Sequence, residues 1–144
     1  MHNLYVRDII SLCDGKLLNG NLDIVLGDFC TDSRKIKFGD VYVGIKGEVF
    51  DGNKFYKDAI ENGASVCILD SVEDDYDYGE ATVVLVNDSI ECLQKLASYK
   101  RSLYEIPVIA VTGSVGKTST KDIIASVVGQ KYKTCKLLVI IIII

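Results

Sequence analysis

An α/β fold is predicted, with strands alternating with helices around a largely parallel sheet, and three observations carry the prediction. Apolar, β-branched runs at residues 41–45, 64–69, 82–86 and 108–111 have the length of buried strands. Between them lie stretches with apolar residues at helical spacing. Residues 54–62 carry Phe55, Ala59 and Ile60, and residues 89–104 carry Ile90, Leu93, Leu96, Ala97 and Leu103. Alternation at this spacing marks βα units, whose crossovers leave neighbouring strands parallel. The third observation is the segment Ile109-Ala110-Val111-Thr112-Gly113-Ser114-Val115-Gly116-Lys117-Thr118-Ser119-Thr120, which reads as strand, tight loop and helix.

The elements follow in order. Asn3 is placed to cap a helix reaching about Cys13, with Leu4, Val6, Ile9, Ile10 and Cys13 on its apolar side and Gly15 just past its end. A weak strand is expected at residues 23–26, then a strand at Phe29-Cys30-Thr31 running into Asp32-Ser33-Arg34-Lys35. Hydroxyl, carboxylate and guanidinium at a strand end suit a ligand edge, and Asp and Ser there equally suit a turn. Phe38-Gly39-Asp40 turns the chain into the strand at 41–45. The loop Phe50-Asp51-Gly52-Asn53 then leads to a helix that Asn53 is placed to cap and Gly63 to stop. After the strand at 82–86, Asp88 and Glu91 make a capping box for the helix ending near Tyr104. Glu105-Ile106-Pro107 marks entry to a second domain. The expected division is 1–86, a connecting helix and linker at 87–106, and 107–144.

Composition bounds the function. A chain of 144 residues, 49% hydrophobic, can bury a real core as one domain or two small ones. The formal net charge is −4, and Asp70, Glu73, Asp74, Asp75, Asp77 and Glu80 form an acidic run without a base. That run reads as a solvated loop and excludes a broad nucleic-acid surface. Cys13, Cys30, Cys67, Cys92 and Cys135 are scattered and odd in number, which suggests buried free thiols of a reducing cytosol. His2 is the only histidine, so no His-based triad is available within these residues. No basic stretch followed by an apolar core opens the chain, which argues against secretion. At the other end Leu137 begins eight apolar residues closing on five isoleucines, too few for a bilayer helix of about 20. This tail is read as a truncation or frameshift scar, with a short buried strand as the alternative.

The Gly-Lys-Thr loop has a chemical logic. Glycines let the backbone turn close to phosphates, so that peptide N–H groups and the start of the next helix point at the anion. Lys117 supplies a full positive charge, and the Thr118 hydroxyl is placed to ligate a Mg²⁺ ion bridging the phosphates. The general pattern has glycine where this chain has Val111, so the strict motif is missed by one residue. A nucleotide kinase or GTPase is the competing enzyme class. It is disfavoured because such proteins open on their phosphate loop.

Thr31-Asp32-Ser33-Arg34-Lys35, residues 39–47 (Gly39-Asp40-Val41-Tyr42-Val43-Gly44-Ile45-Lys46-Gly47), Asp51-Gly52-Asn53-Lys54-Phe55, Asn62-Gly63-Ala64 and Thr112 to Thr118 occur in the order found in the Mur ligases. The resemblance to this family, ATP-dependent amide ligases that build the peptide of bacterial peptidoglycan, runs to about Thr134. Ser114-Val115 and the following Thr118-Ser119-Thr120-Lys121-Asp122 look most like the members that add D-alanyl-D-alanine.

The resemblance implies a small N-terminal domain for the UDP-sugar end of the substrate, followed by the first strand, phosphate loop and helix of a Rossmann-like P-loop ATPase domain. It makes Ser33, Arg34, Gly47, Asp51 and Asn53 candidates for uridine-diphosphate contact, although many members carry His at the position of Asn53. It assigns ATP to Gly113, Ser114, Val115, Gly116, Lys117, Thr118 and Ser119, catalysis to Lys117 and Thr118, and Mg²⁺ to Thr118. The implied substrates are UDP-MurNAc-tripeptide and D-alanyl-D-alanine, joined through an acyl phosphate in the cytoplasm by a monomer, without nucleic acid or membrane. The family continues beyond this region with further magnesium ligands, so the chain is expected to be an N-terminal fragment that does not ligate by itself. The alternatives are a silent remnant binding nucleotide or UDP-sugar, and the related ligase that adds the third peptide residue.

Overall fold

The computed structural model describes residues 3–73, 77–136 and 140–143, and the chain divides into two compact units, Met1–Leu103 and Tyr104–Ile144. His2, Asp74 and Asp75 of the acidic run, and residues 137–139 and 144 of the apolar tail lie outside the described residues.

In the first unit, strands β1 (Lys16–Asn19), β2 (Phe29–Cys30), β3 (Val41–Val43), β4 (Val66–Leu69) and β5 (Thr82–Leu85) form one sheet in the order β1-β5-β4-β3-β2. Strands β2 to β5 are parallel, and β1 is added antiparallel at the β5 edge. Successive side chains of a strand face opposite sides, and here both sides are covered. Val66 and Ile68 of β4 join Val41, Val43, Val84, Cys92 and Leu96 in a core layer with Val6 and Ile9. Cys67 and Leu69 join Tyr42, Tyr56, Ala59 and Val83 in the other. Helices α1 (Val6–Cys13) and α3 (Ser89–Ser102) therefore cover one face of the sheet, and α2 (Tyr56–Glu61) covers the opposite one.

Several expectations are corrected. Helix α1 begins at Val6, with Tyr5 as its cap; the Tyr5 N–H donates to Asp8 Oδ2 at 2.8 Å, and Asn3 takes no part. Residues 23–26 do not join the sheet. They run beside the N-terminus, where Val6 N–H donates to the Ile24 carbonyl (3.0 Å) and Leu26 N–H to that of Leu4 (2.8 Å). Strand β1, absent from the sequence reading, takes the edge position instead. Asn53 does not cap α2. A 3-10 turn at Gly52–Phe55 precedes that helix, and its cap is the Asp51 carboxylate, which accepts the Asn53 N–H at 3.0 Å.

Of the capping box expected for α3 the Asp88 half forms, Asp88 Oδ1 accepting from Glu91 N–H at 2.8 Å, while the Glu91 carboxylate pairs with Lys95 at 2.8 Å. Its inward face is Ser89, Cys92 and Leu96, whereas Ile90 is 45% exposed. The helix expected to connect two domains packs into the core of the first unit, and the division between units falls after Leu103. The cysteines are free; Cys13, Cys67 and Cys92 are buried, but Cys30 is half-buried and Cys135 exposed, against the expectation of burial. Burial pushes the Cys67 thiol up to about 12, and Cys92 is raised by burial and by the neighbouring Cys13 thiol. Among the described residues no helix is long and apolar enough to cross a membrane.

In the second unit, β6 (Val108–Ala110) leads through a loop into α4 (Lys117–Val128), followed by β7 (Thr134–Lys136) and β8 (Ile140–Ile143). Isoleucines 140–143 form the middle strand of the sheet β6-β8-β7, antiparallel to both neighbours. The parallel sheet of a Rossmann-like domain is not what these strands make. Only residues 137–139 separate β7 from β8 in sequence, too few for the crossover that a parallel pair requires.

Candidate functional sites: an aromatic-floored pocket and a glycine-lysine loop

The C-terminal end of β2 delivers residues 31–34 to a cavity of about 460 Å³ lined by Thr31, Asp32, Ser33, Arg34, Tyr42, Phe50, Phe55 and Asp58. Asp32 caps a 3-10 turn at Ser33–Lys35 by accepting the Arg34 N–H at 3.1 Å. Its two oxygens also take Arg34 Nε at 2.9 Å and Nη2 at 3.0 Å. The hydrogen bonds from Arg34 hold the Asp32 carboxyl down at about 2 and raise the guanidinium in turn. Two of the five guanidinium N–H donors are spent on this pair, and with the side chain 85% exposed the rest of the fork faces solvent. Ser33 is buried, and its carbonyl accepts from Asn62 Nδ2 at 3.1 Å, which ties the turn to the end of α2.

The opposite wall is aromatic. Phe50 and Phe55 stack with centroids 4.7 Å apart and planes 12° from parallel, and Phe50 remains 61% exposed. The Tyr42 hydroxyl donates to the Gly52 carbonyl at 2.7 Å, and burial raises its pKa to about 12. A flat apolar face beside a preorganised guanidinium suits a ligand with an aromatic ring at one end and an anion at the other.

Ser33 and Arg34 thus enter the pocket, while the other three candidates shape its surroundings. Gly47 lies at the base of the loop carrying Phe50, its N–H donating to the Phe50 carbonyl at 2.7 Å. Asp51 bridges back to Lys46. The next residue has to be glycine, because a Cβ on Gly52 would lie 2.6 Å from the Ile45 carbonyl oxygen. Asn53 is 2% exposed and, with Asp51, borders a separate cavity of about 110 Å³. Phe50, Phe55, Tyr42 and Asp58 are pocket residues that the sequence reading did not assign. The one available signal was Val49-Phe50 standing as an apolar pair in a polar loop.

In the second unit, residues 112–116 form an exposed turn between β6 and α4. Gly116 caps α4 with φ 78°, a left-handed conformation that favours glycine, and the helix starts at once with Lys117. The Lys117 ammonium folds back over the turn and donates to the Gly113 carbonyl. Thr118 and Ser119 are exposed in the first helical turn. Helix-start N–H groups, the positive end of a helix of 12 residues and an ammonium therefore converge on one small volume. Among the described residues there is no group of three or more His, Cys, Asp or Glu able to hold a metal. The Thr118 hydroxyl is one oxygen donor, which suits a Mg²⁺ ion that takes its other ligands from phosphate and water.

A family model described as "Mur ligase family, catalytic domain" matches residues 29–101, which is half of the chain and includes the pocket. The chain belongs to the Mur ligase family. This Mur ligase chain is 36% identical over 126 residues to UDP-N-acetylmuramoyl-tripeptide--D-alanyl-D-alanine ligase of Synechocystis, spanning 87% of the chain and 27% of that relative. It is 33% identical over 128 residues to UDP-N-acetylmuramoyl-L-alanyl-D-glutamate--2,6-diaminopimelate ligase of Clostridium tetani, spanning 87% of the chain and 26% of that relative. Among solved structures, MurF from Acinetobacter baumannii superposes with a TM-score of 0.78 at 28% identity, over 92% of this chain and 29% of that one. MurF from Thermotoga maritima, solved with ADP, gives 0.64 at 36% identity over 73% and 24%. The Mur ligase chain thus spans 24% to 29% of the length of these relatives.

Proposed function

We propose that the chain is the part of a D-alanyl-D-alanine-adding Mur ligase that receives UDP-MurNAc-tripeptide in its first unit and the triphosphate of ATP in its second. In this reading residues 1–86 recognise the UDP-sugar, residues 87–106 pack α3 against that unit and lead the chain onward, and residues 107–144 open the ATP-binding domain. Arg34, held by Asp32, pairs with the diphosphate, the buried Ser33 lies beside it, and Phe50 offers its ring to the uracil. Gly47, Asp51 and Asn53 shape the loop that presents Phe50. The amides from Gly113 to Ser119, Ser114 and Val115 included, cradle the triphosphate. Mg²⁺ on Thr118 supplies Lewis-acid neutralisation of phosphate charge when bound. The Lys117 ammonium, one residue into α4, neutralises charge gathering on the γ-phosphoryl group as it passes to the tripeptide carboxylate. The protein acts as a cytoplasmic monomer.

The observation that carries this reading is the Lys117 ammonium lying over a turn whose last residue, Gly116, starts a helix. Calorimetric titration of the chain tests it. UDP and Mg-ATP are expected to bind at separate, non-competing sites. Arg34→Ala is expected to weaken UDP roughly tenfold, the worth of a charge-assisted hydrogen bond, and to leave Mg-ATP unchanged. Competition between the two ligands, or binding of neither, overturns the reading. A second reading, the ligase that adds the third peptide residue, is favoured by the likeness to the Clostridium tetani relative. Tighter binding of UDP-MurNAc-dipeptide than of the tripeptide would select it.

A further inference from the structure

The buried side chain of Asn53 makes three hydrogen bonds to two aspartates. One amide hydrogen of Nδ2 goes to Asp51 Oδ1 at 2.9 Å and the other to Asp70 Oδ1 at 2.6 Å, while Oδ1 accepts the Asp70 N–H at 3.0 Å. Both donors are therefore used on carboxylates. Asp70 follows directly on β4, whose last residue, Leu69, is fully buried in the sheet. Asp51 closes the loop that carries Phe50. Lys46 and Asp51 bridge at its base, Gly47 N–H donates to the Phe50 carbonyl at 2.7 Å, and Gly52 N–H to that of Ile45 at 2.9 Å. The hydrogen bonds from Asn53 hold the Asp51 carboxyl below the usual carboxylate range. A buried amide thus clamps the end of a rigid strand to the root of an exposed loop.

We infer that Asp70 is a positioning residue of the sugar-nucleotide pocket, acting through the buried amide of Asn53 to fix the loop that stacks Phe50 on Phe55. The inference rests on the proposed UDP site, and it gives a role to a residue 17 positions from Asn53 that does not line that pocket. Removing the Asp70 carboxylate strips the Asn53 amide of one acceptor inside a 2%-exposed site, and leaving such a group unsatisfied is costly. The loop then loses its attachment to β4, while the sheet keeps its own ladder.

The full chain with Asp70→Ala and with Asp70→Asn tests this. UDP affinity is measured by calorimetry, and hydrogen exchange is followed at the Gly47 and Gly52 amides. Asp70→Ala is expected to weaken UDP on the order of tenfold, the worth of a hydrogen bond to a charged group, and to speed exchange at both loop amides. The Gly44 amide, bonded to Ile68 in the sheet at 2.9 Å, is expected to stay protected. Asp70→Asn, which keeps an acceptor oxygen and the backbone N–H, is expected to restore both readouts. Unchanged exchange at Gly47 and Gly52 in Asp70→Ala overturns the positioning role, whatever the UDP result. If the unmutated chain takes no UDP, the proposed pocket function falls, and the exchange data alone decide whether Asp70 holds the loop.

Discussion

Lys117→Ala is expected to lower Mg-ATP affinity by about 10- to 100-fold, because it removes the only full positive charge in residues 112–120. The ammonium donates to the Gly113 carbonyl at rest, so it already sits above the turn and has little distance to travel to a phosphate oxygen. A charge-assisted hydrogen bond of this kind is worth about 1.5 to 3 kcal/mol, which sets the range. Lys117→Arg keeps the charge but not the compact ammonium, and is expected to recover only part of the affinity. Val127→Ala is the control, since Val127 is 64% exposed and lies in the last turn of α4, away from the loop. The midpoint of unfolding of the first unit is expected to be unchanged in all three. Equal Mg-ATP affinity in Lys117→Ala and the unmutated chain would remove lysine from the site.

Leu96→Ala is expected to destabilise the first unit by about 3 kcal/mol, within the usual cost of deleting a buried leucine side chain. Leu96 is 1% exposed, in a layer with Val6, Ile9, Val84 and Cys92. The cost is lost contact plus the cavity left behind. A helix that only joined two domains would lose about 0.5 kcal/mol or less from the same change, the range of an ordinary surface substitution. Urea unfolding followed by circular dichroism separates the two outcomes. The large value makes α3 structural to the first unit, and the small one would return it to the role of linker.

The strands most legible in the sequence are those buried on both faces. Residues 66–69 and 82–85 are unbroken apolar or β-branched runs, which leave no choice of face to misjudge. The cap of α3 was legible for a local reason, since the Asp88 carboxylate accepts the Glu91 N–H within one turn. Strand β1 was not, because Lys16–Asn19 has no alternation and becomes a strand only by pairing with β5. Helical spacing put Ile90 inside with Leu96, but packing against the sheet and α1 selected Ser89 and Cys92, which leaves Ile90 near half exposed. Isoleucines 140–143 carry no alternation from which a partner could be predicted, and they pair with β6 and β7.

The pocket was legible at Ser33 and Arg34, where charge and hydroxyl end a strand. It was illegible at Asn53, because the partner that consumes its amide, Asp70, arrives a whole helix and strand later. Spacing places Phe55 in the core, whereas its ring stacks on the exposed ring of Phe50. Sequence carries the type of a group well and its partners poorly. At Asn53 the partners are two carboxylates, Asp51 and Asp70, and only one of them is near in sequence.

Backbone amide shifts of the full chain during titration with Mg-ATP give the most direct test of a phosphate-holding turn at the start of α4. The account predicts saturable shifts concentrated at Gly113 to Ser119, largest at Gly116 and Lys117, with residues 31–34 and 50–55 still. Shifts confined to the pocket lined by Arg34 and Phe50, or no saturable change at Gly116 and Lys117 at millimolar nucleotide, would contradict it.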